Sequence, residues 1–140
     1  MKNLLFTTVF ILLTTFAIPA NAQFLSGTKT SQKENASMTF TNKSDYSMVV
    51  KIIAYSGGLY QNVNLPPHTS RTSSFNKSSS YKIKIKATPK IGRPSYHDGG
   101  SFSVTCTDTE WSEGEMTFQM SSYGSGLGPT ISEKEFESNY

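Results

Sequence analysis

The sequence has 140 residues, 13 lysines and arginines against 10 aspartates and glutamates, and a formal net charge of +3 at pH 7. Its one cysteine, Cys106, excludes an intrachain disulfide, so burial alone must hold the fold. Beyond the first 22 residues there is no apolar run approaching the roughly 20 residues of a membrane-spanning helix, so no transmembrane segment is expected.

The first segment carries a targeting pattern. Met1-Lys2-Asn3 is a short basic start, Leu4 to Ile18 is uncharged and apolar, and Ala20 and Ala22 place small side chains at −3 and −1 of a cleavage site. This predicts a signal peptide over 1–22. An apolar run of about 15 residues is too short for a membrane anchor. Gln23, where a bacterial lipoprotein carries cysteine, argues against lipidation. The expected localisation is secreted or periplasmic.

Residues 23–35 are polar and have no periodicity, and read as a flexible lead-in. Alternation of apolar and polar residues then predicts strands over 37–42, 46–55, 59–65, 69–75, 80–88, 101–107 and 115–121. The second strand has apolar residues on both faces (Met48, Val50, Ile52 and Val49, Ile53), which marks a strand covered on both sides. The fifth is the clearest: Tyr81, Ile83, Ile85 and Ala87 on one face, with Lys82, Lys84 and Lys86 expected in water. Cys106 alternates with Phe102 and Val104 and reads as a small buried hydrophobe. The expected domain is 36–121, followed by a flexible glycine-rich tail over 122–140 that closes in one helical turn.

Seven short, half-apolar strands predict an all-β fold, a single antiparallel β-sandwich of two facing sheets. "FTNKSDYSMVV" and "FNKSSSYKIKI" echo one another, each placing Asn-Lys-Ser ahead of a strand, which suggests two equivalent corners. The pattern over 36–121 resembles the immunoglobulin-like sandwiches of exported proteins. It lacks their paired cysteines around a core tryptophan, so no function comes with the resemblance.

Four motifs carry candidate chemistry. "SYHDGGSF", Ser95 to Phe102, gathers the residue types of a hydrolase, but neighbours along a chain diverge, and Asp-Gly-Gly is turn chemistry. It reads as a turn, and a hydrolase around His97 and Asp98 is the outside alternative. "TDTEWSEGE" crowds Asp108, Glu110, Glu113 and Glu115 around Trp111, but its spacing does not follow a calcium loop, so no metal and no cofactor is expected. Trp111 is the only tryptophan, and an exposed indole suits the apolar face of a sugar ring; buried, it would cap the end of the sandwich. The Lys82-Lys84-Lys86 face has no interleaved aromatics, which argues against nucleic acid.

Together these features predict an exported, non-enzymatic binding module with a carbohydrate or protein partner. The expected ligand is a glycan bound through loop aromatics, with Trp111, Tyr96 and His97 as the binding residues and no catalytic set. The alternative is an assembly subunit that offers an open strand edge over Thr69 to Phe75.

Overall fold

In a computed structural model the chain divides into two units, Met1–Glu34 and Asn35–Tyr140. The described residues are 34–121 and 124–140, so the expected signal peptide and nearly all of the lead-in lie outside them. Every described strand and helix belongs to the second unit.

Each predicted strand is present: β1 Ala36–Asn42, β2 Ser47–Ala54, β3 Leu59–Leu65, β4 Ser70–Phe75, β5 Ser79–Thr88, β6 Ser95–Val104 and β7 Glu113–Phe118. Next come two-residue strands β8 Met120–Ser121 and β9 Gly124–Ser125 and a short helix α1, Glu133–Glu137. One sheet has the order β4-β1-β7 and the other β3-β2-β5-β6, and β8 pairs with β9. The fold is all-β, two sheets around one core. Among the described residues no helix is long and apolar enough to cross a membrane.

Strand alternation decides which side chains meet. Phe40 and Phe118 from one sheet stack at 6.1 Å, and Phe40 meets Phe102 of the other sheet edge-on at 6.0 Å. Phe75 lies 4.9 Å from Tyr81 and 5.7 Å from Phe102, again between sheets. Cys106 is buried in this core as expected from its alternation. Burial of several such rings is the main favourable contribution, at about 1.5–3 kcal/mol for each large apolar side chain.

The expectation of a wholly antiparallel sandwich is corrected at one place. β1 pairs antiparallel with β4 but parallel with β7, in the register Phe40 to Met116. The cause is topological: β6 belongs to the other sheet, and the chain crosses over from it before β7 comes alongside β1.

The turn expected over Ser95 to Phe102 is also corrected. These residues belong to β6, and their turn chemistry serves a bulge within it. Ile83 pairs with Gly100 and Lys84 with Asp98, leaving Gly99 as the extra residue. A Cβ on Gly99 would meet Ile83 at 2.8 Å, and Gly100 takes φ +88 while donating its N–H to Asp98 Oδ1 at 2.9 Å. Nor are the two Asn-Lys-Ser corners equivalent. Asn42 is fully buried, its Nδ2 donating to the carbonyls of Tyr46, Leu65 and Pro66, whereas Asn76 is exposed.

The largest departure from expectation lies after β8. Leu127 enters the core, and residues 129–131 run antiparallel along the free edge of β6, with Asp98 N–H donating to Pro129 O (2.8 Å) and Ile131 N–H to Tyr96 O (2.9 Å). Ser132 caps α1 by accepting from Glu135 N–H at 3.1 Å. The helix then lies on the outer face of the four-stranded sheet, with Phe136 buried 5.2 Å from the Tyr96 ring. Gly58 N–H donates to Asn139 O at 2.9 Å. The expected tail is therefore a strap that runs from β6 across the sheet to the β2–β3 turn.

Candidate functional site

Trp111, Tyr96 and His97 do not form one site. Trp111 sits in the 105–112 connection beyond the end of β6, bridged to Cys106 and partly exposed. Ser112 N–H donates to Thr105 O and Thr107 N–H to Glu110 O, closing that connection. Tyr96 lies at the opposite end of β6, about 25 Å along the strand from Val104 at 3.3 Å per residue. Its ring is buried under α1 and its hydroxyl donates to Glu133 Oε1 at 3.0 Å. Burial, and then the Glu133 carboxylate, raise its pKa above the ordinary tyrosine value.

His97 points to the face opposite Tyr96 and is 3% exposed. Its Nδ1 is 3.2 Å from Gly128 O, an acceptor only, so Nδ1 carries a proton and Nε2 faces Ser95 Oγ at 2.9 Å. A serine beside an oriented imidazole is two-thirds of a hydrolase triad. Among the described residues Asp98 does not complete it, since Asp98 turns to the outer face and accepts from Gly100 N–H, and the cleft of about 470 Å³ between β6, β7 and residues 126–129 is lined by neither Ser95 nor His97. His68 is spent elsewhere, its Nε2 2.8 Å from Asp45 Oδ1. His97 instead ties the strap to β6.

The acidic residues around Trp111 do not converge either. Among the described residues there is no group of three or more histidine, cysteine, aspartate or glutamate side chains that could hold a metal ion.

The lysine face departs from expectation in an informative way. Lys51 and Lys84 are register partners on β2 and β5 and are only 5% and 7% exposed. Lys51 Nζ donates to the carbonyl oxygens of Phe136 (2.9 Å), Glu137 (2.8 Å) and Ser138 (3.3 Å), and Lys84 Nζ to those of Glu135 (2.6 Å) and Ser138 (3.0 Å). Carbonyls at the end of α1, where the helix leaves them without partners, replace water around both ammonium groups. Periodicity assigns Lys84 correctly to the outer face but cannot say that the strap covers that face.

Beyond the helix the same face carries an exposed cluster. Ile53 pairs with both Leu59 and Lys82, which places them together. Tyr55 is 61% exposed, Leu59 45% and Tyr140 81%. Lys82 Nζ stands 5.2 Å from the Tyr55 ring centre. Tyr140 lies over Gly57, where even an added methyl group would meet its ring at 3.5 Å. The bond from Gly58 to Asn139 holds the strap at this turn, and Gly57 and Gly58 take φ +98 and +95 to make it. Two phenol rings, an aliphatic side chain and an ammonium group thus share one sheet end. Such a surface can stack on apolar ring faces and hydrogen-bond their substituents. "AYSGGLY" carries a signal for half of this cluster, Tyr55 and Leu59 flanking a double-glycine turn. Tyr140 gives none, because only the strap brings it there.

Comparison with family models, with curated proteins and with solved structures found no match for this chain.

Proposed function

We propose that this protein is an exported, non-enzymatic, immunoglobulin-like binding module whose ligand is a glycan held at the Tyr55–Leu59–Tyr140 surface. One observation carries the reading: residues from the β2–β3 turn, β3 and the end of the strap expose large side chains together at one end of the sheet face whose middle α1 covers. Tyrosine rings offer the flat apolar area that the C–H faces of a sugar need, and their hydroxyls and Lys82 supply the polar contacts. The immunoglobulin-like reading is supported by the pairings β1–β4, β2–β3, β2–β5 and β5–β6, which follow the B–E, C–C′, C–F and F–G pairings of those sandwiches. Export is supported by the pattern of residues 1–22.

The test is calorimetric titration of the exported chain with a panel of soluble polysaccharides. At least one glycan class is expected to bind, with Tyr55→Ala and Tyr140→Ala each weakening it about tenfold or more, the loss of one stacking contact. Trp111→Ala is expected to bind as the parent does. Loss in Trp111→Ala alone would move the site to the 105–112 connection and overturn this assignment; no binding by any glycan would overturn the function.

A further inference from the structure

The two main sheets have four lateral edges, and three of them are defended. β6 is covered by residues 129–131 of the strap. β7 carries Glu113 and Glu115, and beyond its end Gln119 O accepts from Gly126 N–H. On β4, Tyr60 Oη donates to Ser74 O at 2.8 Å and Arg71 Nη1 to Ser70 O at 3.3 Å, so two edge carbonyls are already engaged beside a fixed charge. These are ordinary ways to stop an edge from recruiting another chain.

β3 has none of them. "LYQNVNL" contains no charged residue and no proline. Among the described residues its backbone from Leu59 to Asn64 bonds to nothing outside its own sheet, and the side-chain amides of Gln61, Asn62 and Asn64 have no partner. Its one irregularity is confined to one end, where Tyr60 is passed over in the register with β2. The four residues Gln61–Asn64 are a regular, neutral edge with no strand on its outer side. We propose that this edge pairs antiparallel with the same edge of a second copy of the chain, joining two four-stranded sheets into one of eight.

The occupant follows from charge and symmetry. A two-fold axis puts every side chain of the strand opposite another from the same strand, so an edge with a net charge repels itself. β7 would bring glutamates together and β4 arginines. β3 brings none. With the axis at Val63, Asn62 of each copy lies opposite Asn64 of the other, on the outer face, where paired side-chain amides exchange hydrogen bonds. Asn62 shares that face with Lys51, so the amide pairs lie clear of the core.

Sedimentation of the exported chain over a concentration series tests this. The expected result is a mass rising to twice that of the monomer and no further. Asn62→Lys/Asn64→Lys, two exposed substitutions, should return the monomer mass at an unchanged melting temperature, while Thr72→Lys on β4 should remain dimeric. Hydrogen exchange gives a variant-free readout: protection of the Asn62 and Asn64 amides, which alternate with those bonded to β2, should rise with protein concentration. A monomer at every concentration, a dimer that survives the double lysine variant, dissociation by Thr72→Lys instead, or growth beyond a dimer would each overturn the proposal. None of these readouts involves a glycan, so this proposal and the assigned function fail separately.

Discussion

Lys51 and Lys84 face each other across two neighbouring strands, and both donate to the same oxygen, the carbonyl of Ser138. Like charges directly opposite in a sheet repel, and here burial adds to the cost. The end of α1 offsets both, since its carbonyl dipoles point at the pair. The strap and the lysines therefore need one another.

This interdependence has a mutational signature. Lys84→Met should lower stability by about 1–2 kcal/mol in urea unfolding, the range expected when several buried carbonyls lose a charged donor. Burial first, and the neighbouring Lys51 charge second, depress the Lys84 pKa below the ordinary lysine value. The unfolded chain thus binds more protons than the folded one over the interval below that ordinary value, and stability must rise with pH there. Unfolding curves between neutral pH and about 10 should show this rise. It should vanish in Lys84→Met and shrink in Lys51→Met. A flat profile in the parent protein would contradict the buried, charged arrangement.

Tyr96 gives the opposite sign at higher pH. Its pKa is raised, so the folded chain keeps a proton that an unfolded phenol has already lost, and stability falls as pH climbs above about 10. Tyr60, also raised by burial, adds to the same fall. Tyr96→Phe removes both the bond to Glu133 and part of this sensitivity. Melting temperatures measured from pH 9 upwards should therefore decline less steeply in Tyr96→Phe than in the parent. Parallel declines would show that Tyr96 does not carry the effect.

Two glycines separate backbone strain from lack of room. Gly128 takes φ +97, and an added Cβ would run into the carbonyl oxygen of Asp98. Gly100 takes φ +88 with nothing within 4 Å of its added Cβ. Gly100→Ala should cost only the left-handed conformation, about 1–2 kcal/mol. Gly128→Ala must also push the strap off β6, and should cost clearly more, with new protease sensitivity in residues 124–140. Chemical denaturation of both variants decides the order; equal losses would mean that the strap yields without resistance.

The core is legible in the sequence because its signal is local. β5 reads as a strand from Tyr81, Ile83, Ile85 and Ala87 alone, and the structure buries all four. The strap is illegible for the complementary reason. Its anchors, Leu127 and Phe136, are single apolar residues among glycines and charges, and their burial depends on Tyr96, Lys51 and the edge of β6, all distant in sequence. "SYHDGGSF" shows a third case. Asp-Gly-Gly does mark a place where the backbone leaves regular geometry, but a bulge inside a strand and a turn between strands use the same chemistry. The proposed ligand surface escapes the sequence for both reasons: Tyr55 and Leu59 flank a turn whose glycines signal only a break, and Tyr140 is placed by the strap.

The parallel pairing of β1 with β7 also sets an order of events. Of the described strands β1 is the first to be made, yet one of its two neighbours arrives only when Phe118 has been synthesised. Strands β2, β3, β5 and β6 assemble their sheet from nearer partners, whereas the three-stranded sheet must wait for the most distant pairing in the fold. Until then Met38 and Phe40 belong to a half-closed layer with one edge exposed, the interval in which such a chain is most prone to aggregate. Among the seven long strands described, the first to be made is thus completed only by the last.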